Sequence, residues 1–109
     1  MTEQVLEIAY IHLAADSTEA DLLAASDSFQ QYFLSQQDGL IRRDMARKRD
    51  GIYVDVIVWQ SRAHADAVFE RAQSSEIAGQ YFGHMQFDPE NLEEGIEHHT
   101  LLKSFAKDA

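Results

Sequence analysis

Cysteine is missing from this chain, and proline occurs once. Without cysteine there is no disulfide framework, no thiolate nucleophile and no thiolate metal ligand. That usage fits a reducing cytoplasm. One Pro and five Gly argue against a low-complexity or disordered chain. Positive charge is scarce: nine Lys and Arg stand against nineteen Asp and Glu, a formal net charge of −10. A chain this acidic is repelled by phosphate backbones and anionic lipid, so neither nucleic acid nor a membrane surface is an expected partner. No apolar run approaches the roughly 18 residues that a bilayer crossing needs. The opening stretch MTEQVLEIAY has no basic segment followed by a long apolar one, so no signal peptide is expected. Glycine-rich phosphate loops, the dinucleotide fingerprint and the G-x-S-x-G nucleophile elbow are all missing. With no His-x-x-x-His or Glu-x-x-His pair either, no dedicated transition-metal site is expected.

What is present is a chain of 109 residues, 45% of them hydrophobic, which suits one domain spanning 1–109 around one core. Val5–Leu13 is short and rich in β-formers and reads as strand one. Thr18 with Asp21 forms an N-cap pattern. Leu22, Ser26, Phe29 and Phe33 then recur at helical spacing, giving helix one over 19–36. Asp38-Gly39 ends it. LIRRDMARK (40–48) is strand two and IYVDVIVW (52–59) strand three, joined as a hairpin by Arg49-Asp50-Gly51. Ser61 caps helix two, where Ala65, Val68, Phe69 and Ala72 form the inner stripe. SSEIAGQYFGHM gives a short extra helical turn, FDPENLEEG an acidic loop, and IEHHTLLKSF strand four.

The order βαββαβ specifies an α+β, ferredoxin-like antiparallel sheet with helices on one face. The other face is then bare. In strand three, Ile52, Val54, Val56 and Val58 alternate with Tyr53, Asp55, Ile57 and Trp59. In strand one, Leu6, Ile8, Tyr10 and His12 oppose Val5, Ala9, Ile11 and Leu13, with Glu7 as the exception among the latter. Neither face of either strand is polar enough to meet water. A second copy, sheet against sheet, is the expected cover, so the chain is expected to be a homodimer.

Residues 38–70, DGLIRRDMARKRDGIYVDVIVWQSRAHADAVFE, resemble the antibiotic-biosynthesis-monooxygenase (ABM) type of dimeric α/β-barrel protein. The shared features are a Gly just before strand two, a charged strand two, a short turn, and an apolar strand ending Trp59-Gln60-Ser61 into helix two. The resemblance implies a cofactor-independent monooxygenase that uses no flavin, haem or metal and takes a small aromatic or enolisable substrate between sheet and helices. It places Asp55 where the polyketide-oxidising members carry an Asn, and Trp59 on their pocket Trp. Ala65 stands where they have a Tyr, with His64 adjacent. The haem-degrading branch's helix positions carry Val68 and Ala78, which argues against that activity.

Asp55 is the leading candidate base, since a carboxylate in an apolar pocket has its pKa pushed up by desolvation. The alternative is a structural ion pair. With a two-residue loop at Asp50-Gly51, Asp55 lies opposite Ala46, and its diagonal neighbours are Asp44 and Lys48; a three-residue loop changes those pairs. His12 is the second candidate base, on the expectation that strand one lies beside strand three and brings it toward Asp55 and Trp59. Trp59, Tyr10, Tyr53 and His64 are the candidate substrate-binding residues. His98 and His99, adjacent on one strand, must point to opposite faces. The basic cluster in RRDMARKRD reads as the solvated rim of a hairpin. The competing functional reading is a non-catalytic ligand-binding or scaffolding dimer of the same fold. A cavity reached by Asp55, His12 and Trp59 favours the enzyme, and a filled core with Asp55 paired to Lys or Arg favours the alternative.

Overall fold

The computed structural model describes residues 3–86 and 95–107. Chain order is β1 (Val5–Leu13), α1 (Glu19–Tyr32), a short 3-10 turn (Leu34–Gln36), β2 (Leu40–Arg47), β3 (Tyr53–Trp59), α2 (Arg62–Ala72), α3 (Glu76–Phe82), β4 (Met85–Gln86) and β5 (Ile96–Thr100). The sheet is antiparallel throughout, with β3 between β2 and β1, and both β4 and β5 paired to β1. This is the expected ferredoxin-like α+β architecture, with a two-residue strand added at the edge. The FDPENLEEG loop lies outside the described residues except for Gly95.

Helix starts follow their caps. Thr18 accepts from the Asp21 N–H while the Asp21 carboxylate accepts from the Thr18 N–H, which completes a capping box. Ser61 and Ser75 accept from the N–H groups of His64 and Ala78. Helix one stops earlier than its periodicity suggests. Phe33 leaves the helical region at φ −124°, and residues 34–36 tighten into the 3-10 turn. The last strand also ends early, at Thr100 instead of continuing to Phe105.

The hairpin takes the longer of the two loops that Arg49-Asp50-Gly51 allows, and this has the largest consequence for the site. Its loop has three residues, 49–51: Lys48 N–H donates to Ile52 O at 2.8 Å, and Gly51 N–H donates to Lys48 O at 3.0 Å. Gly51 takes φ +86°, the left-handed position that a three-residue hairpin loop requires. The register moves by one, so Asp55 faces Met45 and Arg47 faces Tyr53. A one-residue slip exchanges the two faces of a strand. Arg43, Met45 and Arg47 therefore share the helix-covered face with Asp55, while Asp44 and Ala46 go to the open face.

The core lies between that inner face and the helices. It joins Ile11, Tyr53, Ile57 and Trp59 of the sheet to Leu22, Phe29, Phe33, Ala65, Val68 and Tyr81. The opposite face carries Leu6, Ile8, Val54, Val56 and Val58, all only half-buried. Gly39 adopts φ +92°, and a β-carbon there would fall 2.4–2.6 Å from the His64 ring and its Cβ. The glycine before β2 is thus required twice, by its backbone and by the imidazole packed against it. Gly39→Ala is expected to lower stability by at least about 1–3 kcal/mol from backbone strain alone. Urea denaturation checks this, and an unchanged midpoint would contradict the packing described.

Candidate functional site: a buried arginine–aspartate pair beneath a cleft

Alternation on β3 sends Asp55 toward the helices, and the shifted hairpin sends Arg43 to meet it. Asp55 is 4% exposed. Arg43 Nε donates to Asp55 Oδ1 at 2.8 Å, and Arg43 Nη2 donates to Oδ2 at 3.0 Å. This is the two-pronged geometry in which guanidinium and carboxylate bind most strongly. Tyr81, on α3, donates its hydroxyl hydrogen to Asp55 Oδ2 at 2.8 Å. Arg43 Nη2 also reaches Ser26 Oγ at 2.8 Å and the Tyr81 oxygen at 3.1 Å. The guanidinium carbon stands 5.4 Å from the Phe29 ring centre and 5.3 Å from that of Tyr81, within cation–π range. Burial works against the charged guanidinium, but the bonds and charge of Asp55 outweigh it and push the Arg43 pKa up. Burial, followed by the neighbouring Asp55 charge, pushes the Tyr81 hydroxyl well above its ordinary value.

One edge of this network meets solvent. A cleft of about 350 Å³ opens between α1 and β2, lined by Ser26, Gln30, Leu40, Ile41, Arg43 and Met45 among others. Its size lies in the range of small-ligand sites. Arg43 Nη1 is the donor on this side. It keeps only long contacts, 3.5 Å each, to Ser26 O and Gln30 Oε1.

The residues expected to form the site are dispersed. Asp55 lies on the expected inner face, but in the paired, structural arrangement. Trp59 is 2% exposed and packed into the core, its indole N–H donating to Glu7 Oε1 at 3.3 Å. Tyr53 is also core, and its hydroxyl donates to Glu19 Oε1 at 3.0 Å. His64 is held in the first turn of α2, with Nδ1 2.6 Å from Ser61 Oγ. His12 and Tyr10 do not approach Asp55. The residue opposite Asp55 on β1 is Ala9, so the even-numbered residues of β1 project from the open face. His12 is exposed there, and Tyr10, 36% exposed, has its ring centre 5.6 Å from Lys48 Nζ. The Asp55–His12 pairing is therefore corrected: strand alternation puts the two on opposite sides of the sheet.

Arg43, Tyr81 and Ser26 were not among the candidates. The signal for Arg43 was its parity with Met45 and Asp55, which a two-residue loop hides. Glu7 is the one charged residue among the inward-facing positions of β1. It accepts from both Trp59 and His98, the latter at 3.0 Å. Burial raises its pKa even though His98 pulls it down.

No family model matches this sequence, and no curated protein matches it. Solved structures do resemble the fold. A variant of SnoaB, a cofactor-independent oxygenase from Streptomyces nogalater, superposes with TM-score 0.65 at 14% identity, covering 99% of this chain and all of that one. A Bordetella bronchiseptica protein provisionally named an antibiotic biosynthesis monooxygenase gives 0.62 at 20%, covering 95% and 100%. A hydroxynitrile lyase from Passiflora edulis gives 0.67 at 10%, covering 97% and 100%. The chain thus has the fold of the ABM-type structures, and one backbone plan serves an oxygenase and a lyase.

Two outcomes follow from this geometry. Tyr81→Phe removes a donor from Asp55 but leaves the arginine in place, so denaturation should show a loss of about 1–2 kcal/mol; no loss would contradict the Tyr81–Asp55 bond. Glu7 is governed by its raised folded-state pKa. Its contribution is fully present below its ordinary value of 4.5 and is lost as pH rises through the raised value. The stability of the native protein relative to Glu7→Gln should therefore be greatest in acid and fall toward neutral pH. Paired thermal melts across that range check it, and the opposite trend would contradict the burial of Glu7.

Proposed function

We propose that this protein is a homodimeric, ABM-type oxygenase for a small phenolic or enolisable substrate, bound in the α1–β2 cleft with its anion against Arg43 Nη1. The observation that carries the reading is that donor, fixed from behind by Asp55 and turned toward the cleft with only long contacts of its own. A fixed cation in a partly dry recess favours the ionised form of a weak acid.

The chemistry then needs no free carboxylate base. A substrate CH2 group activated by a neighbouring carbonyl loses a proton to solvent, and its anion is held by Arg43. The anion passes an electron to O2, the resulting pair joins in a C–O bond, and protonation gives a hydroperoxide. Loss of water leaves a carbonyl, so CH2 plus O2 becomes C=O plus H2O. Asp55 acts here as a positioning residue for Arg43. The open sheet face, with Leu6, Ile8, Val54, Val56 and Val58 along its centre, supports the dimer, because an apolar strip of this kind is seldom left to water.

A second reading meets the criterion drawn from the sequence: none of Asp55, His12 and Trp59 lines the cleft, and Asp55 is paired to an arginine. Both Asp55 oxygens are occupied by Arg43 and Tyr81, which favours a dimer that binds a ligand without transforming it.

Oxygen uptake with anthrones, hydroquinones and flavonols, without added cofactor, separates the readings. The oxygenase reading expects protein-dependent uptake that rises with pH as the bound substrate ionises, and that falls at least about tenfold in Arg43→Lys, which keeps the charge but loses the forked geometry. Saturable binding without uptake would favour the second reading, and neither uptake nor binding would contradict both. For assembly, Val56→Asp should convert the dimer into a monomer in sedimentation; a native protein that is already monomeric would overturn the sheet-to-sheet contact.

A further inference from the structure

The inner face carries a second polar group that the proposed oxygenation does not use. Register places Glu7 of β1 directly opposite His98 of β5. One carboxylate oxygen, Glu7 Oε1, accepts from His98 at Nε2 (3.0 Å) and from Trp59 at Nε1 (3.3 Å). The side chains of His98 and Glu7 are 19% and 15% exposed. The imidazole therefore presents Nε2–H to the carboxylate, and its other nitrogen, Nδ1, has no hydrogen-bond partner among the described residues. Fixing one ring nitrogen on a carboxylate sets the tautomer and leaves the other as a base.

His98 also lines a recess of about 270 Å³ between α2 and β5, with Arg62, Asp66, Phe69 and Ile96. No lining residue is shared with the Arg43 cleft. The volume falls just below that of drug-sized pockets, which suits a one-ring ligand. Phe69 and Ile96 supply apolar walls. At the mouth, Arg62 Nε donates to Asp66 Oδ1 at 2.8 Å, so both signs of charge are present there. A permanent anion would meet Asp66 and Glu7, and a permanent cation would meet Arg62. A neutral molecule enters without either cost, and the proton it then gives up leaves an imidazolium between its own anion and Glu7.

We propose that the α2–β5 recess is a separate binding site for a one-ring weak acid of the phenol class, with His98 Nδ1 taking the ligand's O–H proton and Glu7 stabilising the imidazolium so formed. The transfer is complete in itself: the O–H bond breaks, the N–H bond forms, and no electron changes hands. The burial-raised pKa of Glu7 agrees with a carboxylate in need of a cationic neighbour. Glu7 is a positioning residue here, acting through His98.

The test uses 4-nitrophenol, whose phenolate is yellow, at a pH where the free phenol is largely neutral. Addition to the native protein should shift the His98 ring resonances saturably in NMR and raise the phenolate absorbance with the same midpoint. His98→Gln, which keeps an amide N–H for Glu7, should remove the part of the absorbance rise whose midpoint matches the His98 shift, while remaining folded. Glu7→Gln should weaken binding about tenfold, because the imidazolium loses its charged hydrogen-bond partner. Arg43→Lys should leave the His98 response unchanged, which separates this site from the α1–β2 cleft. Unmoved His98 resonances, or a full absorbance rise in His98→Gln, would overturn the proposal and leave Glu7–His98 as a cross-strand hydrogen bond with no ligand.

Discussion

The Arg43–Asp55 pair is the constraint around which the rest of the inner face is organised. Two opposite charges placed beneath helices lose their water, and only close geometry with further hydrogen bonds offsets that loss. The structure supplies both. The guanidinium meets the carboxylate with two nitrogens, Tyr81 donates to one carboxylate oxygen, and Ser26 accepts from the arginine. These groups come from α1, β2, β3 and α3, so the pair ties together four elements that differ widely in sequence position. The stacked rings of Phe29 and Tyr81, 4.7 Å apart, pack against the guanidinium.

The same pair explains why much of the architecture is legible in the sequence while the site is less so. Strand one, the caps at Thr18 and Ser61, and the helical stripe through Leu22, Ser26 and Phe29 depend on local chemistry and periodicity, and the structure has them where those signals lie. The site depends on one register. A two-residue loop at Asp50-Gly51 pairs Asp55 with Ala46 and turns Arg43 outward as part of a solvated rim. The three-residue loop pairs Asp55 with Met45 and turns Arg43 inward. Nothing local distinguishes these, because Asp-Gly serves both turns. The buried carboxylate favours the second register: the first offers it only Lys48 at a diagonal, beside Asp44, whereas the second brings it the forked guanidinium of Arg43. His12 failed for a related reason: adjacency of β1 and β3 was legible, but which residues share a face follows from the pairing of Ala9 with Asp55.

Two polar groups divide the helix-covered face of the sheet. One polar group, built on Arg43, addresses the cleft between α1 and β2. The other, built on Glu7 and His98, addresses the recess between α2 and β5. Both sit on the helix-covered face, where partial desolvation strengthens charge and hydrogen bonding. The open face keeps its aliphatic centre, with Arg42, Asp44, Glu97 and His99 toward its margins, an arrangement suited to a protein partner with a similar apolar strip. Fold likeness to an oxygenase and to a lyase fixes the frame but not the reaction, so the chemistry has to be argued from these side chains.

The central claim is that Asp55 belongs to a structural pair with Arg43 and does not stand free as a base. A double-mutant cycle tests it directly, with chemical denaturation of the native protein, Arg43→Met, Asp55→Leu and the double variant. Each single change leaves an uncompensated buried charge and should lose about 3–5 kcal/mol, whereas the double change should lose far less than the sum. Small, additive losses would contradict the account and return Asp55 to the role of an unpaired carboxylate.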